Sequence, residues 1–501
     1  MFETRQSGVL THPTSFPSSY GIGDLGAGAY QFIDFLKASN QKLWQVLPLG
    51  PTGYGDSPYQ SFSSFAGNHY LVSPDLLKDD GWLTQSDVAD TGLDYGFDPR
   101  EIDYGPAIEY KMSLLKKAYT AFKTQATATE KASFTKFCKA QKSWLEDYAL
   151  FMALKDYHNG EPWSAWPKDL MNRDAKALTE MKVKLKDEMV FTMFLQYQFF
   201  IQWGKVRAYA KKAGVKIIGD IPIFVAMDSA DIWANPELFM LDADSKPTAV
   251  AGVPPDYFSE TGQLWGNPLY KWDAHKKTDY EWWCRRVEAA LQFVDIIRID
   301  HFRGFESFWT VPFGAKTAIK GKWTKGPGKA LFAAFKKKFG ELPIIAEDLG
   351  IITSAVESLR TGFRLPGMKV LHFAFDPKTP SEYVPHMYTD SQTVVYTGTH
   401  DNDTTVGWYD SATEEEKDYL RRYMNISGED VAWDMIRLAF SSVGIFAIVP
   451  IQDIMSLGAE DRMNLPGSAM GWWKFRYTKD MLREEYQDKL VYLSELFHRN
   501  V

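Results

Sequence analysis

The 501-residue chain holds only two cysteines, Cys138 and Cys284, far apart and in neither a CxxC pair nor a Cys/His cluster. That scarcity excludes a disulfide scaffold, offers no zinc pattern, and fits a reducing, cytoplasmic compartment. Long apolar runs are also missing. No stretch reaches the roughly 18 residues that would span a bilayer, and Met1-Phe2-Glu3-Thr4-Arg5 lacks the charged-then-apolar pattern of a signal peptide, so export is not expected. No sustained basic block stands out against a formal charge of −8, and neither nucleic acid nor membrane is expected as a partner. Internal repeats and low-complexity tracts are absent, which removes solenoids and propellers.

What the chain does have is ordinary globular composition, 45% hydrophobic and 24% charged, with an unusual aromatic load: 17 Trp, 25 Tyr and 33 Phe. A large core explains most single rings. Tyr54, Tyr59, Tyr257 and Trp265, however, sit in turn-rich segments. There an exposed ring costs hydrophobic free energy unless it packs on something, such as the apolar face of a sugar.

Short runs rich in Ile, Val and Phe recur, each followed after a gap by an amphipathic helical pattern. The runs Leu43-Leu47, Lys216-Ile221, Ile296-Asp300, Pro343-Ala346, Lys369-Ala374, Thr393-Tyr396 and Gly444-Ile451 read as strands, with His69-Val72 weaker. About eight strands in βα alternation predict an α/β fold, a (β/α)8 TIM barrel spanning residues 1–501 as one catalytic body. Charged helical sequence such as Ala107-Tyr119 and Phe134-Tyr157 predicts inserted, mainly helical subdomains over about 75–210, and a lid or insert loop is expected over about 225–285. After Arg476 only Lys479-Phe497 reads as helical, too little for a C-terminal β-domain.

Gly21-Ile-Gly-Asp-Leu-Gly26 matches the dinucleotide fingerprint GxGxxG, but it follows a loop-like Pro17-Ser-Ser-Tyr20, and no acid stands near Leu47 to hold a ribose. Those glycines are expected to shape a tight loop before a helix over Tyr30-Ser39. A stronger signal is a set of acids at predicted strand C-termini: Asp220, Asp300, Glu347-Asp348 and, beside a histidine, His400-Asp401. In a barrel these converge on the rim where active sites lie. Arg298, two residues before Asp300 on the same strand face, can hold that carboxylate ionised. Paired carboxylates suit glycoside chemistry, retaining or inverting according to their separation. Metal binding is the competing reading of such a cluster, weakened by the lack of His at ligand spacing such as HExxH.

Ser7-Gly-Val-Leu-Thr-His-Pro-Thr-Ser15, Gly21-Ile-Gly-Asp-Leu-Gly26, Ser57-Pro-Tyr59, Gly219-Asp-Ile-Pro-Ile223, Gly252-Val-Pro-Pro-Asp-Tyr257, Arg298-Ile-Asp-His-Phe-Arg-Gly304, Ala346-Glu-Asp-Leu-Gly350, Pro366-Gly-Met-Lys369, Gly398-Thr-His-Asp-Asn402 and Arg462-Met-Asn464 occur in this order. Together they resemble the amylomaltase (4-α-glucanotransferase) family of the α-amylase clan over nearly the whole chain. The resemblance implies Asp300 as nucleophile, Glu347 as general acid/base and Asp401 as transition-state stabiliser. It also implies substrate contacts from Tyr59, Asp220, Asp256, Tyr257, Trp265, Arg298, His301, His400 and Asn464, with Tyr54 as a secondary glucan contact. Met227, His372 and Gly471-Trp472-Trp473 depart from the family's usual residues, which bears on chain-length preference.

The implied reaction is retaining transfer of an α-1,4-glucan segment from a maltooligosaccharide or starch-like donor to the 4-hydroxyl of an acceptor glucan or glucose. No cofactor and no metal are expected, and the protein is expected as a monomer or homodimer. A hydrolase using the same acids with water, and a non-catalytic glucan-binding protein, are the alternatives. Transfer requires that water be kept from the intermediate, a task suited to the Gly-, Pro- and aromatic-rich segment Ala251-Trp265.

Overall fold

Runs of three to six mostly aliphatic residues build twelve strands in the computed structural model, which describes residues 2–89, 96–255, 259–468 and 470–500. In chain order these are β1 (Gln6–Leu10), β2 (Leu43–Gln45), β3 (Lys216–Ile221), β4 (Ala249–Val253), β5 (Gln263–Pro268), β6 (Ile296–Ile299), β7 (Ser307–Pro312), β8 (Lys322–Lys325), β9 (Ile344–Ala346), β10 (Gly367–Val370), β11 (Thr393–Tyr396) and β12 (Phe446–Pro450). Eight of them pair in parallel in the order β10-β11-β12-β1-β2-β3-β6-β9. The ends of that order meet where the Ala346 N–H donates to the Pro366 carbonyl at 2.8 Å, closing the (β/α)8 barrel. β6, β9, β11 and β12 are buried at every position, as continuous apolar strands sandwiched between barrel interior and helices must be.

The chain visits the barrel strands in sequence order and leaves the barrel at two places to build a second, antiparallel sheet, β5-β4-β7-β8. This sheet is absent from the sequence reading. Its strands mix Gly, Lys and Trp with aliphatics and carry no strict alternation, so pairing with one another decides their conformation. β1 was likewise unforeseen, because Gln6-Ser7-Gly8 hides the apolar signal. His69-Val72, expected as a weak strand, instead holds a 3₁₀ turn, His69–Leu71, in which the Asn68 side chain accepts from the Tyr70 N–H. The stretch expected as helical over Phe134-Tyr157 is two helices, Ala128–Ala140 and Lys142–Tyr157. The helix after the glycine-rich loop starts early, at Ala27. In that loop Asp24 Oδ1 accepts from the Gly26 N–H at 2.9 Å and Asp24 Oδ2 lies 3.4 Å from Lys111, so a buried ion pair shapes it.

Between β2 and β3 the chain runs through a series of helices that ends with Lys186–Ala213, stopped by Gly214 at φ 78°. The span 225–285 holds β4, β5 and short helices, among them Trp272–Lys277. No strand follows β12 among the described residues, and none of their helices is long and apolar enough to cross a membrane.

The last inserted helix positions one wall of the barrel mouth. Gln196 accepts from the Gly67 N–H at 2.8 Å and donates to the Gly67 carbonyl at 2.9 Å, and Gln202 treats Ser73 in the same way at 2.7 and 3.2 Å. Two buried amide side chains thus replace a missing strand partner for the segment that follows β2 and carries Tyr59. Gly67 is required there, since a Cβ would stand 2.0 Å from the Phe199 ring. Replacing Gln196 by Leu leaves both Gly67 backbone groups buried and unpaired. We expect a loss of about 2–4 kcal/mol in unfolding free energy, read from the denaturant midpoint; an unchanged midpoint would show that this clamp is dispensable.

Candidate active site

Arg298 sits at the centre of the site because the parallel register of β3 and β6 sets it directly opposite Asp220. Its Nη1 donates to Asp220 Oδ2 at 2.5 Å and its Nη2 lies 3.1 Å from Asp300 Oδ1. The guanidinium therefore bridges two acids that come from adjacent strands. The Tyr59 hydroxyl donates to the same Asp220 oxygen at 2.9 Å and stands 2.8 Å from His400 Nε2. Its single proton goes to the carboxylate, so Nε2 of His400 carries the hydrogen and donates to the Tyr59 oxygen. The two rings stack at 5.2 Å, backed by Trp473 at 5.8 Å from Tyr59.

Asp300 and Glu347 leave neighbouring strands at one level. The Asp300 N–H donates to Ile221, and the Glu347 N–H donates to Ile299. Immediately after Asp300 the chain turns through His301 in the left-handed region, φ 51°. That strained turn aims the His301 N–H at Glu347 Oε2, 2.6 Å away, while the Leu349 N–H reaches Oε1 at 2.8 Å. The Trp265 ring, at the end of the β4–β5 excursion, meets the His301 ring edge-on at 4.9 Å.

Asp401 enters from the segment after β11. Asn464 Nδ2 donates to its Oδ1 at 2.6 Å, and His400 Nε2 lies 3.4 Å from its Oδ2. Burial dominates the electrostatics. It pushes the Glu347 carboxyl up, against the pull of Arg298 and the two backbone N–H donors. It pushes Asp300 up to about 8, with Asp220, Glu347 and Asp401 adding to the rise and Arg298 opposing it. Both carboxyls are thus raised by the same surroundings and do not ionise independently. Arg298 touches Asp300 and not Glu347, which biases the anion to Asp300 and the proton to Glu347. Burial also pulls His301 down to about 3 and lowers His400, so both imidazoles are neutral at pH 7.

Of the residues expected from sequence, Asp300, Glu347, Asp401, Tyr59, Asp220, Arg298, His301, His400, Trp265 and Asn464 are brought together here. Asp256 and Tyr257 lie outside the described residues. Tyr54 stands apart from this network, 72% exposed in the turn Tyr54–Asp56. Asn464, expected on the sugar, spends an amide hydrogen on Asp401. Arg462 and Trp473 also join the site, and no local spacing in the sequence marks their partners, which lie on distant segments. Among the described residues no group of His, Cys, Asp and Glu could hold a metal ion.

The model of the 4-alpha-glucanotransferase family matches residues 11–482. A 4-alpha-glucanotransferase of Synechocystis sp. is 51% identical over 504 residues, covering 100% of this chain and 99% of that protein. One from Thermus thermophilus is 49% identical over 502 residues, 99% of each. Among solved structures, amylomaltase from Streptococcus agalactiae in complex with acarbose superposes with a TM-score of 0.95 at 40% identity, covering 99% of both chains.

A carboxyl whose pKa rises on folding favours its protonated form, so its contribution to stability holds at low pH. That contribution is lost as pH climbs from the ordinary carboxylate range toward about 8. Asp300→Asn removes one acid from the crowded pair. Its thermal midpoint should exceed the parent's at about pH 8, with the gain fading toward pH 4. Equal midpoints at both pH values would contradict the crowding.

Proposed function

Since this chain belongs to the 4-alpha-glucanotransferase family, we propose that it moves α-1,4-glucan segments between maltooligosaccharides by retaining double displacement. One observation carries the assignment of roles: two raised carboxyls leave adjacent strands at one level, and the arginine touches only one of them. Asp300, held as the anion, attacks the anomeric carbon while Glu347 gives its proton to the glycosidic oxygen, and the shortened glucan leaves with a free 4-hydroxyl. The donor segment is then esterified to Asp300. Glu347, now the carboxylate, takes the proton of the acceptor 4-hydroxyl as that oxygen displaces Asp300, which restores both acids.

Asp401 stabilises the positive charge that develops on the sugar ring, and neutral His400, whose Nε2 hydrogen goes to Tyr59, is assigned to holding the sugar beside it by position and packing. We assign further sugar contacts to Tyr59, His301, Trp265, Asp256 and Tyr257, and a secondary glucan contact to exposed Tyr54. Asp220 and Arg298 hold the nucleophile. The segment 251–265 acts as a lid that favours an acceptor sugar over water; its support is that it joins β4 to β5 and delivers Trp265 onto His301. Free Cys138 and Cys284 fit a cytoplasmic setting, and the protein acts there as a monomer or homodimer.

Incubation with maltotriose tests the reaction. Transfer predicts glucose together with a ladder of longer oligomers, whereas glucose and maltose without longer species would show hydrolysis and unchanged substrate would show binding alone. The role of Glu347 is tested separately by leaving group. Glu347→Gln should keep a fast first step with α-glucosyl fluoride, which needs no acid, and lose orders of magnitude with maltotriose. Equal first-step losses on both donors would remove Glu347 as the acid.

A further inference from the structure

Of the three acids, Asp401 is the one not held at the end of a strand. β11 ends at Tyr396, and the segment beyond it must present Asp401 without strand pairing. Both feet of this segment are pinned from below by one buried acid. Thr397 Oγ1 donates to Asp453 Oδ2 at 2.5 Å, and the Thr405 N–H and Oγ1 donate to the same carboxylate at 2.7 and 2.8 Å. Within the segment, Asn402 Oδ1 accepts from the Thr399 N–H and hydroxyl, each at 2.9 Å. These bonds shape the backbone, yet none of them reaches the Asp401 carboxylate.

The carboxylate is set from a different segment, by Asn464 Nδ2 at 2.6 Å. Asn464 is in turn tied by Arg462, whose Nε donates to the Asn464 carbonyl at 2.6 Å while its Nη2 donates to the Asp401 carbonyl at 2.7 Å. Nη1 stands 3.7 Å from Asp403 Oδ2. One planar guanidinium therefore joins the two segments at three points. A lysine ammonium on its flexible stem cannot reproduce that fork.

We propose that Arg462 is a positioning residue for Asp401: it staples the 462–464 segment to the Asp401 segment so that the Asn464 amide fixes the direction of the Asp401 carboxylate. The bond to Asn464 takes Oδ1 and leaves the other oxygen beside His400. Arg462 touches no reacting atom, and its whole effect passes through Asp401. The inference rests on the reading of Asp401 as the acid that stabilises the transition state.

A double-mutant cycle on the full-length enzyme tests it. Arg462→Lys, Asn464→Ala and Asp401→Asn are made singly, and the first two are each combined with Asp401→Asn, with folding checked by thermal midpoint. A misdirected carboxylate should lower kcat for maltotriose by about 10- to 100-fold in Arg462→Lys, with KM changed by less than about threefold. The same loss should appear with α-glucosyl fluoride, since Asp401 acts whatever the leaving group. In the Asp401→Asn background, Arg462→Lys should cost less than about threefold more, because the group it positions is gone.

A full, multiplicative loss in that background, or an effect confined to KM, would overturn the proposal. Should Arg462→Lys fail to fold, Asn464→Ala, which keeps the staple and removes only the amide, must show the same non-additivity or the proposal falls. Parent-like turnover in Asp401→Asn itself would instead overturn the reading of Asp401 on which the inference stands.

Discussion

Arg298, 3% exposed on β6, carries its guanidinium into the barrel between Asp220 and Asp300, and the other acids of the site are arranged around that charge. Desolvating a lone guanidinium costs several kcal/mol, which no apolar packing around it can offset. Two carboxylates in contact do offset it, and a third, Glu347, feels it at longer range. Remove the cation and Asp220, Asp300 and Glu347 lose the positive charge that offsets their mutual repulsion. The arginine thus offsets the acids of the barrel mouth, and it touches only one of the two raised carboxyls, Asp300.

The remaining architecture keeps this balance in register. Parallel pairing places Asp220 opposite Arg298 and sends Asp300 and Glu347 out of adjacent strands at one height. The left-handed turn at His301 is tolerated because it points a backbone donor at Glu347. Tyr59 comes from a distant loop and reaches Asp220, and Gln196 and Gln202 hold that loop's backbone farther along, at Gly67 and Ser73, against an inserted helix. Strand ends carry Asp300 and Glu347, while Asp401 depends on side-chain clamps between loops. Stability is given up where Asp300 and Glu347 are raised, and the scaffold beneath them is densely packed.

How much of this was legible in the chain follows from what each residue needs. Ile296-Ile-Arg-Ile-Asp300 announces a buried strand ending in an acid, and the repeat of that pattern implies a barrel rim, although β11 stops at Tyr396 short of Asp401 and Asp220 lies within β3. Lys369-Ala374 was placed late by two residues, because Gly367 and Met368 carry no β-branched signal and the true strand, Gly367–Val370, is held by its neighbour's register. His69-Tyr-Leu-Val72 has strand composition, but Asn68 caps it into a 3₁₀ turn. The family resemblance named Tyr59 and Asn464 as sugar contacts, yet their hydrogen bonds to Asp220 and Asp401 are long-range facts that no local pattern encodes. Arg462 was invisible for the same reason, since its three partners lie on two segments brought together only by the fold.

The central claim is that Asp300 is the ionised carboxylate and forms the bond to the sugar. The direct measurement is mass spectrometry of proteolysed Glu347→Gln enzyme after reaction with α-glucosyl fluoride, under conditions that slow the second step. A single hexose adduct is expected on the peptide containing Asp300, localised to that side chain by fragmentation. An adduct on another residue, or its absence while fluoride is released in a burst equal to the enzyme concentration, would contradict it.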